Sequence, residues 1–373
     1  VASDLEPQLV CSVVDTRVSN KDQAGNDRDH AVGRYVASVQ NNTTGAMVRG
    51  FCTATLLSCR AFGQANQTVM LTASHCFEAP GILTFPVVPP GADLTILSAA
   101  VQFNPPLSTA ACAVNNPPEA QVFPVLFPTV RRGIAPPAVG GPKPGSVSDW
   151  AVFRTTRNAG TGRTAFEQQG AAYGVDLAGA DLSDITITGY GSDGSNPNFA
   201  TPARRHCNSM QNPFSPTNAF GTSQLNLTQQ TATGATTNVT NQNVYYNTPT
   251  CGGNSGAVLL QNRGNPARAT VVGVHTGGAP NGCGAGDVPT NIGTNLAFAD
   301  FQNSVSEMCN ICDQNNDGRI NNTDLNMLRA AMGTAVTNAN RAMIGRLDAD
   351  GDGMITVRDL RICSLLCTNG DCQ

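Results

Sequence analysis

Between residues 34 and 100, apolar side chains come in short runs broken by turn residues, at 35–39, 53–57, 68–72 and 94–97. Each run has strand length and is rich in β-branched residues, and the spacing predicts an all-β barrel or sandwich. Residues 104–148 carry ten prolines and read as a long surface excursion. Strand patterns return at 150–153 and 185–189. A stretch rich in Asn, Thr and Ser, 192–250, holds one more at 244–246, and two follow at 257–260 and 270–274. Phe298, Phe301, Val305 and Met308 then recur at helical spacing, which predicts one amphipathic helix closing the β region. From Cys309 onward the chain is Asp-rich, helical in pattern and internally duplicated. The expected division is therefore 1–308 and 309–373.

Composition sharpens this picture. Charged residues are only 13%, against 38 Gly and 23 Pro, which suits a turn-rich β protein. The net charge of -4 argues against a general nucleic-acid binder, whose footprint is basic. No apolar run reaches the ~20 residues of a membrane helix. Thirteen cysteines without zinc-ribbon spacing predict disulfides and an oxidising compartment, and the odd number leaves one thiol over. The opening Val1-Ala2-Ser3-Asp4 is what a mature secreted chain shows after leader removal, so a secreted, extracellular protein is expected.

Three motifs carry candidate chemistry. His75 lies in Thr72-Ala73-Ser74-His75-Cys76 at a strand end, Asp149 opens the apolar strand at 150–153, and Ser255 sits in the turn Gly252-Gly253-Asn254-Ser255-Gly256. A serine hydroxyl becomes a competent nucleophile when a base takes its proton as it attacks. Neutral histidine does this, and a carboxylate on its other ring nitrogen fixes the tautomer and stabilises the imidazolium. Glycines before the serine let the amides of Gly253 and Ser255 form an oxyanion hole, worth roughly 3 kcal/mol of barrier per donor. Asp93 also opens a strand, but it follows His75 by only 18 residues, too few for the intervening strands.

The order His, Asp, Ser, with T-A-S-H-C and G-N-S-G, resembles the chymotrypsin/trypsin-like serine peptidases, in particular the bacterial lysyl and glutamyl endopeptidase branch. The resemblance covers roughly 25–305, with the Pro-rich and Asn/Thr-rich segments as insertions. It implies a double six-stranded β-barrel, a secreted serine endopeptidase working through an acyl-enzyme, and His75, Asp149 and Ser255 as its triad. A cysteine-bearing loop, here with Cys112, would separate His from Asp, which supports Asp149. The resemblance also implies a Cys52–Cys76 disulfide flanking the histidine. Cys251 and Cys283 flank the pocket region and are candidates to close it, with Cys11 and Cys207 as rival partners. Asn254 stands where the animal enzymes have an Asp, so activation through an ion pair to a new N-terminus is not expected. His30 and His206 lie outside any motif and are expected at the surface.

Specificity is read from the same resemblance. Six residues before the nucleophile, where trypsin-like enzymes place the Asp that selects Lys or Arg, this chain has Pro249. The later strand that carries the pocket Asp of lysyl endopeptidases has Thr290 or Asn291, with Asp287 three residues off. His275, in Gly273-Val274-His275-Thr276-Gly277-Gly278 before Pro280-Asn281, matches the pocket histidine of glutamyl endopeptidases. Thr250 matches their hydroxyl, Gly277 belongs to the same pocket strand, and a Val1 ammonium folding back would add positive charge. The expectation is cleavage after Glu, with a Lys/Arg-specific endopeptidase as the alternative.

Residues 313–324 and 348–359 form two twelve-residue loops, the second 35 residues after the first. Oxygen side chains stand at alternating positions: Asp313, Asn315, Asp317 and Asp324 in one, Asp348, Asp350, Asp352 and Asp359 in the other. Gly318 and Gly353 take the sharp turn, and the carbonyls of Arg319 and Met354 supply the seventh-position ligand. Hard oxygen donors in this EF-hand pattern predict two Ca²⁺ sites. Ile320 and Ile355 would pack the loops together. Each loop is followed by a helix and ends in Asp rather than the bidentate Glu of an ordinary EF-hand, so 309–373 resembles a dockerin domain. A cohesin-like or surface protein is then the implied partner, beside polypeptide substrates of the peptidase region. Cys309, Cys312, Cys363, Cys367 and Cys372 bracket the module and are expected to staple its ends. A calcium-dependent adhesive or structural surface protein built on an inactive peptidase fold is the competing reading from another class.

Overall fold

The computed structural model describes residues 18–19, 29–64, 68–78, 82–85, 92–108, 114–133, 148–191, 227–248, 250, 253–262, 269–278, 291–337, 339–367 and 372. β1 (Val18–Ser19) belongs to the second of two sheets. The first is built from β2 (Val32–Asn41), β3 (Met47–Ser58), β4 (Thr68–Thr72), β5 (Leu83–Phe85), β6 (Leu94–Gln102), β7 (Val122–Arg132) and β8 (Ala151–Thr155). Its order is β2-β6-β7-β8-β4-β3-β5, and the added β2–β3 pairing closes six of these strands into a barrel. Tyr35, Ala37 and Val39 of β2 point inward at alternate positions, as a pleated strand requires, and meet Leu56, Met70, Phe123 and Phe153.

The second sheet contains β9 (Gly174–Val175), β10 (Ile185–Gly189), β11 (Gln230–Gly234), β12 (Thr236–Val239), β13 (Asn243–Tyr246), β14 (Val258–Gln261), β15 (Thr270–Gly278) and β16 (Asn291–Asn295). The order is β1-β11-β10-β14-β15-β16-β13-β12, antiparallel throughout, with β9 added in parallel on β15. Ile185, Ile187, Val244, Tyr246, Leu259 and Val272 fill its inner face. Two antiparallel β-barrel or half-barrel sheets thus make the body of the chain. Among the described residues the pairings of the second sheet run from β1 to β12 without a closing pair.

The helices are α1 (Ala165–Gln169), α2 (Ala299–Asn310), α3 (Asn322–Ala330), α4 (Arg341–Ile344) and α5 (Val357–Leu365). α2 is the helix expected from its apolar spacing, and Phe301, Val305 and Met308 are fully buried. It runs across the expected boundary at 308/309. Strands β3, β4 and β8 bury both faces. Met70 and Phe153 fill the barrel, while Leu57, Val69, Leu71 and Val152 turn outward onto a second core that α2 covers. The same outer core takes in Ile320, Leu325 and Leu328 of the first twelve-residue loop and its helix, and Ile355 and Ile362 of the second. At roughly 1.5–3 kcal/mol for each large apolar side chain fully buried, this shared core contributes substantially to the attachment. No helix among the described residues is long and apolar enough to cross a membrane.

Two expectations are corrected. The Pro-rich stretch is not simply a surface excursion, because it contains β7, which sits between β6 and β8 in the barrel wall. Pro124 stands opposite Ala100 of β6 while its carbonyl accepts from Thr156 N at 2.9 Å, and the register to β8 shifts between Leu126 and Arg131, around Pro128. Cys309 does not staple the C-terminal module to itself. It bridges Cys59 after β3, across 250 residues, while Cys312–Cys363 and Cys367–Cys372 close the module. Among the described cysteines the fourth bridge is Cys52–Cys76. Cys11, Cys112, Cys207, Cys251 and Cys283 lie outside the described residues.

The Cys59–Cys309 bridge constrains a long loop of the unfolded chain. Replacing both by Ser should lower the unfolding free energy by roughly 2–5 kcal/mol in a denaturant titration. An unchanged midpoint would show that the bridge adds nothing to the packing of α2.

Candidate active site

His75 sits in a 3-10 turn, Ser74–Phe77, directly after β4. Asp149 precedes β8, and the antiparallel register Leu71↔Val152 and Thr72↔Ala151 carries it to the residues after β4. Its carboxylate accepts two hydrogen bonds from one residue: His75 N to Oδ1 at 3.0 Å and His75 Nδ1 to Oδ2 at 2.7 Å. Asp149 is fully buried, and its own amide donates to Thr294 Oγ1 of β16 at 3.2 Å. With Nδ1–H committed to the carboxylate, Nε2 is left as the acceptor. Burial alone would depress the His75 pKa, but the charge of Asp149 and its hydrogen bond outweigh it and hold it above the ordinary value.

Ser255 stands in a turn between Gly253 at φ 96° and Gly256 at φ 86°, left-handed conformations that favour glycine. A Cβ on Gly256 would lie 2.1 Å from Thr72 Oγ1, so the turn can press against the end of β4 only without one. From the barrel side, Thr53 N donates to Ser255 O at 2.8 Å and Thr53 Oγ1 to Gly253 O at 2.9 Å. From the second sheet, Gly256 N donates to His275 O at 2.8 Å. Ser255 O lies 3.8 Å from Cys76 Sγ, whose bridge to Cys52 ties the histidine turn to β3. His75, Asp149 and Ser255 are thus brought to one seam between the sheets. Asp93 is elsewhere, exposed just before β6 and accepting from Asn42 Nδ2 at 3.0 Å, and His30 is exposed.

His275 lies on β15, fully buried, and Nδ1 shares a hydrogen bond with the hydroxyl of Tyr246 from β13. Its Nε2 is buried without a hydrogen-bond partner among the described residues, and so is Thr250 Oγ1. Burial, reinforced by His75 and opposed by Asp149, pushes the His275 pKa down to about 3, so the ring is neutral at working pH. Gly277 follows a register irregularity on the same strand. Asn291, one of the alternatives for a pocket Asp, is buried and donates from Nδ2 to Thr248 O. Pro249, Pro280, Asn281, Asp287, Thr290, Val1 and His206 lie outside the described residues. Tyr246 and Thr294 are support residues that the sequence reading did not single out. Strand alternation points Tyr246 to the inner face, but no local signal marks Thr294.

The C-terminal loops present a second candidate site. Asp313 accepts from the amides of Asp317 at 3.1 Å and Gly318 at 2.9 Å, and Asp348 accepts from Gly353 at 3.1 Å. The terminal Asp of each loop does double duty. Asp359 Oδ1 accepts from Ala349 N at 2.7 Å and Asp350 N at 3.2 Å, while Oδ2 accepts from Thr356 N at 2.7 Å, closing the capping box of α5. Asp324 repeats this with Gln314, Asn315 and Asn321 at α3. A short carboxylate at the last position therefore pins the loop's start to its helix. Asp348, Asp350 and Asp352 bring oxygens within 4.8 Å of one another, and Asp348 Oδ1 is buried with no hydrogen-bond partner among the described residues. Burial and neighbouring carboxylates push Asp313 and Asp348 up, against their backbone hydrogen bonds. Converging anions with an orphaned oxygen fit a hard divalent cation.

Residues 311–363 match the family model of the Dockerin type I domain. Dockerin type I domains bind calcium and dock onto cohesins. No curated protein matches the chain. Among solved structures it is similar to a thermostable serine protease, AL20, from an extremophilic microorganism, at 13% identity and a TM-score of 0.42, covering 74% of this chain and 95% of that one. It is similar to the protease Anisep from Arthrobacter nicotinovorans, at 14% identity and 0.42, covering 75% and 95%. A Glu endopeptidase solved in complex with MPD has 19% identity and a TM-score of 0.43, covering 79% and 97%.

The two imidazoles should titrate far apart. Nitrogen-resolved NMR should find His75 protonating above the ordinary imidazole value of 6.5 and His275 neutral down to a pH near 3. Because the folded His75 pKa is raised, its contribution to stability is full below the unfolded value and fades as pH rises through the folded one. Coincident titration of both rings would contradict these environments.

Proposed function

We propose that the chain is a secreted serine endopeptidase. Ser255 Oγ attacks the scissile carbonyl carbon as His75 Nε2 takes its proton. The tetrahedral oxyanion is held by the amides of Gly253 and Ser255. His75 returns the proton to the leaving amine as the C–N bond breaks, and a water then cleaves the acyl-enzyme with His75 again as base. Asp149 holds the tautomer and stabilises the imidazolium. The observation that carries this reading is the buried Asp149 carboxylate accepting both from His75 N and from Nδ1, beside a glycine-flanked serine turn. The disulfides support an extracellular setting.

The pocket reading follows from His275 and Thr250. Neutral His275, with Tyr246 donating to Nδ1, directs an Nε2–H donor into the pocket, and Thr250 adds a hydroxyl. A substrate Glu carboxylate satisfies both orphaned groups, whereas a Lys ammonium would find no negative partner there. The C-terminal loops would hold two calcium ions, one of them through Asp313, Asn315, Asp317, Asp324 and the Arg319 carbonyl. Asp348, Asp350, Asp352, Asp359 and the Met354 carbonyl would hold the other. Calcium supplies fixed positive charge that lets these carboxylates converge. A cohesin-like domain is the proposed external partner of this module.

Cleavage-site profiling on a denatured protein mixture tests the reading. Cuts should fall after Glu, and Ser255→Ala should lower kcat by on the order of 10⁴-fold or more with the fold intact. His275→Ala should lose most of the Glu preference while retaining hydrolysis. Cuts mainly after Lys or Arg would point to Asp287 instead, and undiminished turnover in Ser255→Ala would remove Ser255 as nucleophile. Calorimetric titration should count two calcium ions, and one in Asp348→Asn.

A further inference from the structure

We propose that the C-terminal module's first partner is the β region of its own chain, and that calcium in its loops stabilises the strand following Asp149, because β7 and β8 grip the backbone around those loops. The proposal rests on the calcium reading above. Three independent features carry it.

Polar contacts from the barrel reach the module's backbone and loops. Arg131 on β7 donates to Ala349 O at 3.4 Å and Asp350 O at 3.5 Å, the second and third positions of loop two. Gly351 makes room for it: at φ 72°, a Cβ there would lie 2.7 Å from Arg131 Nη2. Gln64 donates to Asn316 Oδ1 of loop one at 2.7 Å. Arg154, buried on β8, donates to Met308 O at 2.9 Å just ahead of that loop, and Arg157 donates to Cys367 O at 2.8 Å beyond α5.

The apolar faces are shared as well. Leu325, Leu328 and Ile362 belong to the same buried cluster as Leu71, Val152 and Phe301, so undocking the module would expose the outer face of the barrel. The Cys59–Cys309 bridge then makes the attachment covalent at the root of loop one. A ligand that binds only the folded module therefore stabilises the docked barrel too, since their core is common.

Trp150 reports on this junction. It is the single tryptophan of the chain, it follows Asp149, and it stacks on Phe301 with ring centroids 5.1 Å apart and planes 13° from parallel. The full chain carrying Ser255→Ala, which suppresses self-digestion, is unfolded in denaturant at buffered free calcium. Trp150 fluorescence reads the barrel, and hydrogen exchange across residues 320–363 reads the module. Both probes should show one coincident transition. The unfolding equilibrium constant at Trp150 should fall about tenfold per bound ion for each tenfold rise in calcium above the dissociation constant. Asp348→Asn should lose one ion's share of that shift. If calorimetry records calcium binding and the module gains protection while the Trp150 transition stays fixed, the cis coupling is overturned and the calcium reading stands. If calorimetry records no binding, both fall.

Discussion

A fully buried carboxylate, Asp149, is the constraint around which the molecule is arranged. Taking an ionised carboxylate out of water costs several kcal/mol unless its oxygens are satisfied. Here both are, by the backbone and ring nitrogens of His75, which fixes the turn after β4 against the start of β8. The Asp149 amide reaches Thr294 on the second sheet, and the neighbouring Trp150 stacks on α2. The barrel, the second sheet and the helix leading to the C-terminal loops therefore meet within two consecutive residues.

The same economy appears in the two twelve-residue loops of the C-terminal module, where one carboxylate closes the loop and caps the helix. Asp359 and Asp324 each accept from amides at the loop's start and at the helix N-cap. The two helices bury their apolar faces in the outer core of the barrel, so the loops share a core with β4 and β8, the strands that flank His75 and Asp149.

Much of this was legible in the sequence because it rests on local patterns. The runs at 68–72 and 185–189 coincide with β4 and β10, and the spacing of Phe301, Val305 and Met308 located the buried face of α2. The loop motifs placed α3 and α5 to within a few residues. What failed to show was non-local. Ten prolines masked β7, because pairing interruptions at Pro128 are a property of the register and not of the residue. The partner of Cys309 lies 250 residues away, and no spacing rule links it to Cys59. Within the site, His275 was visible from its motif, but its buried Nε2 and the hydroxyl of Tyr246 depend on the pairing of β13 through β16 to β15. No local signal marks Arg131 or Arg154; the docked module gives them carbonyls to grip.

The central claim is that Ser255 is a nucleophile activated by the His75–Asp149 pair, and covalent labelling tests it most directly. The full chain is treated with a serine-directed organophosphorus probe across a pH series, and adducts are located by mass spectrometry. The account predicts a single adduct on Ser255, forming progressively more slowly as pH falls through the raised pKa of His75. It also predicts no adduct in His75→Ala on the same timescale. Labelling that spares Ser255, or that proceeds at the same rate without His75, would contradict it.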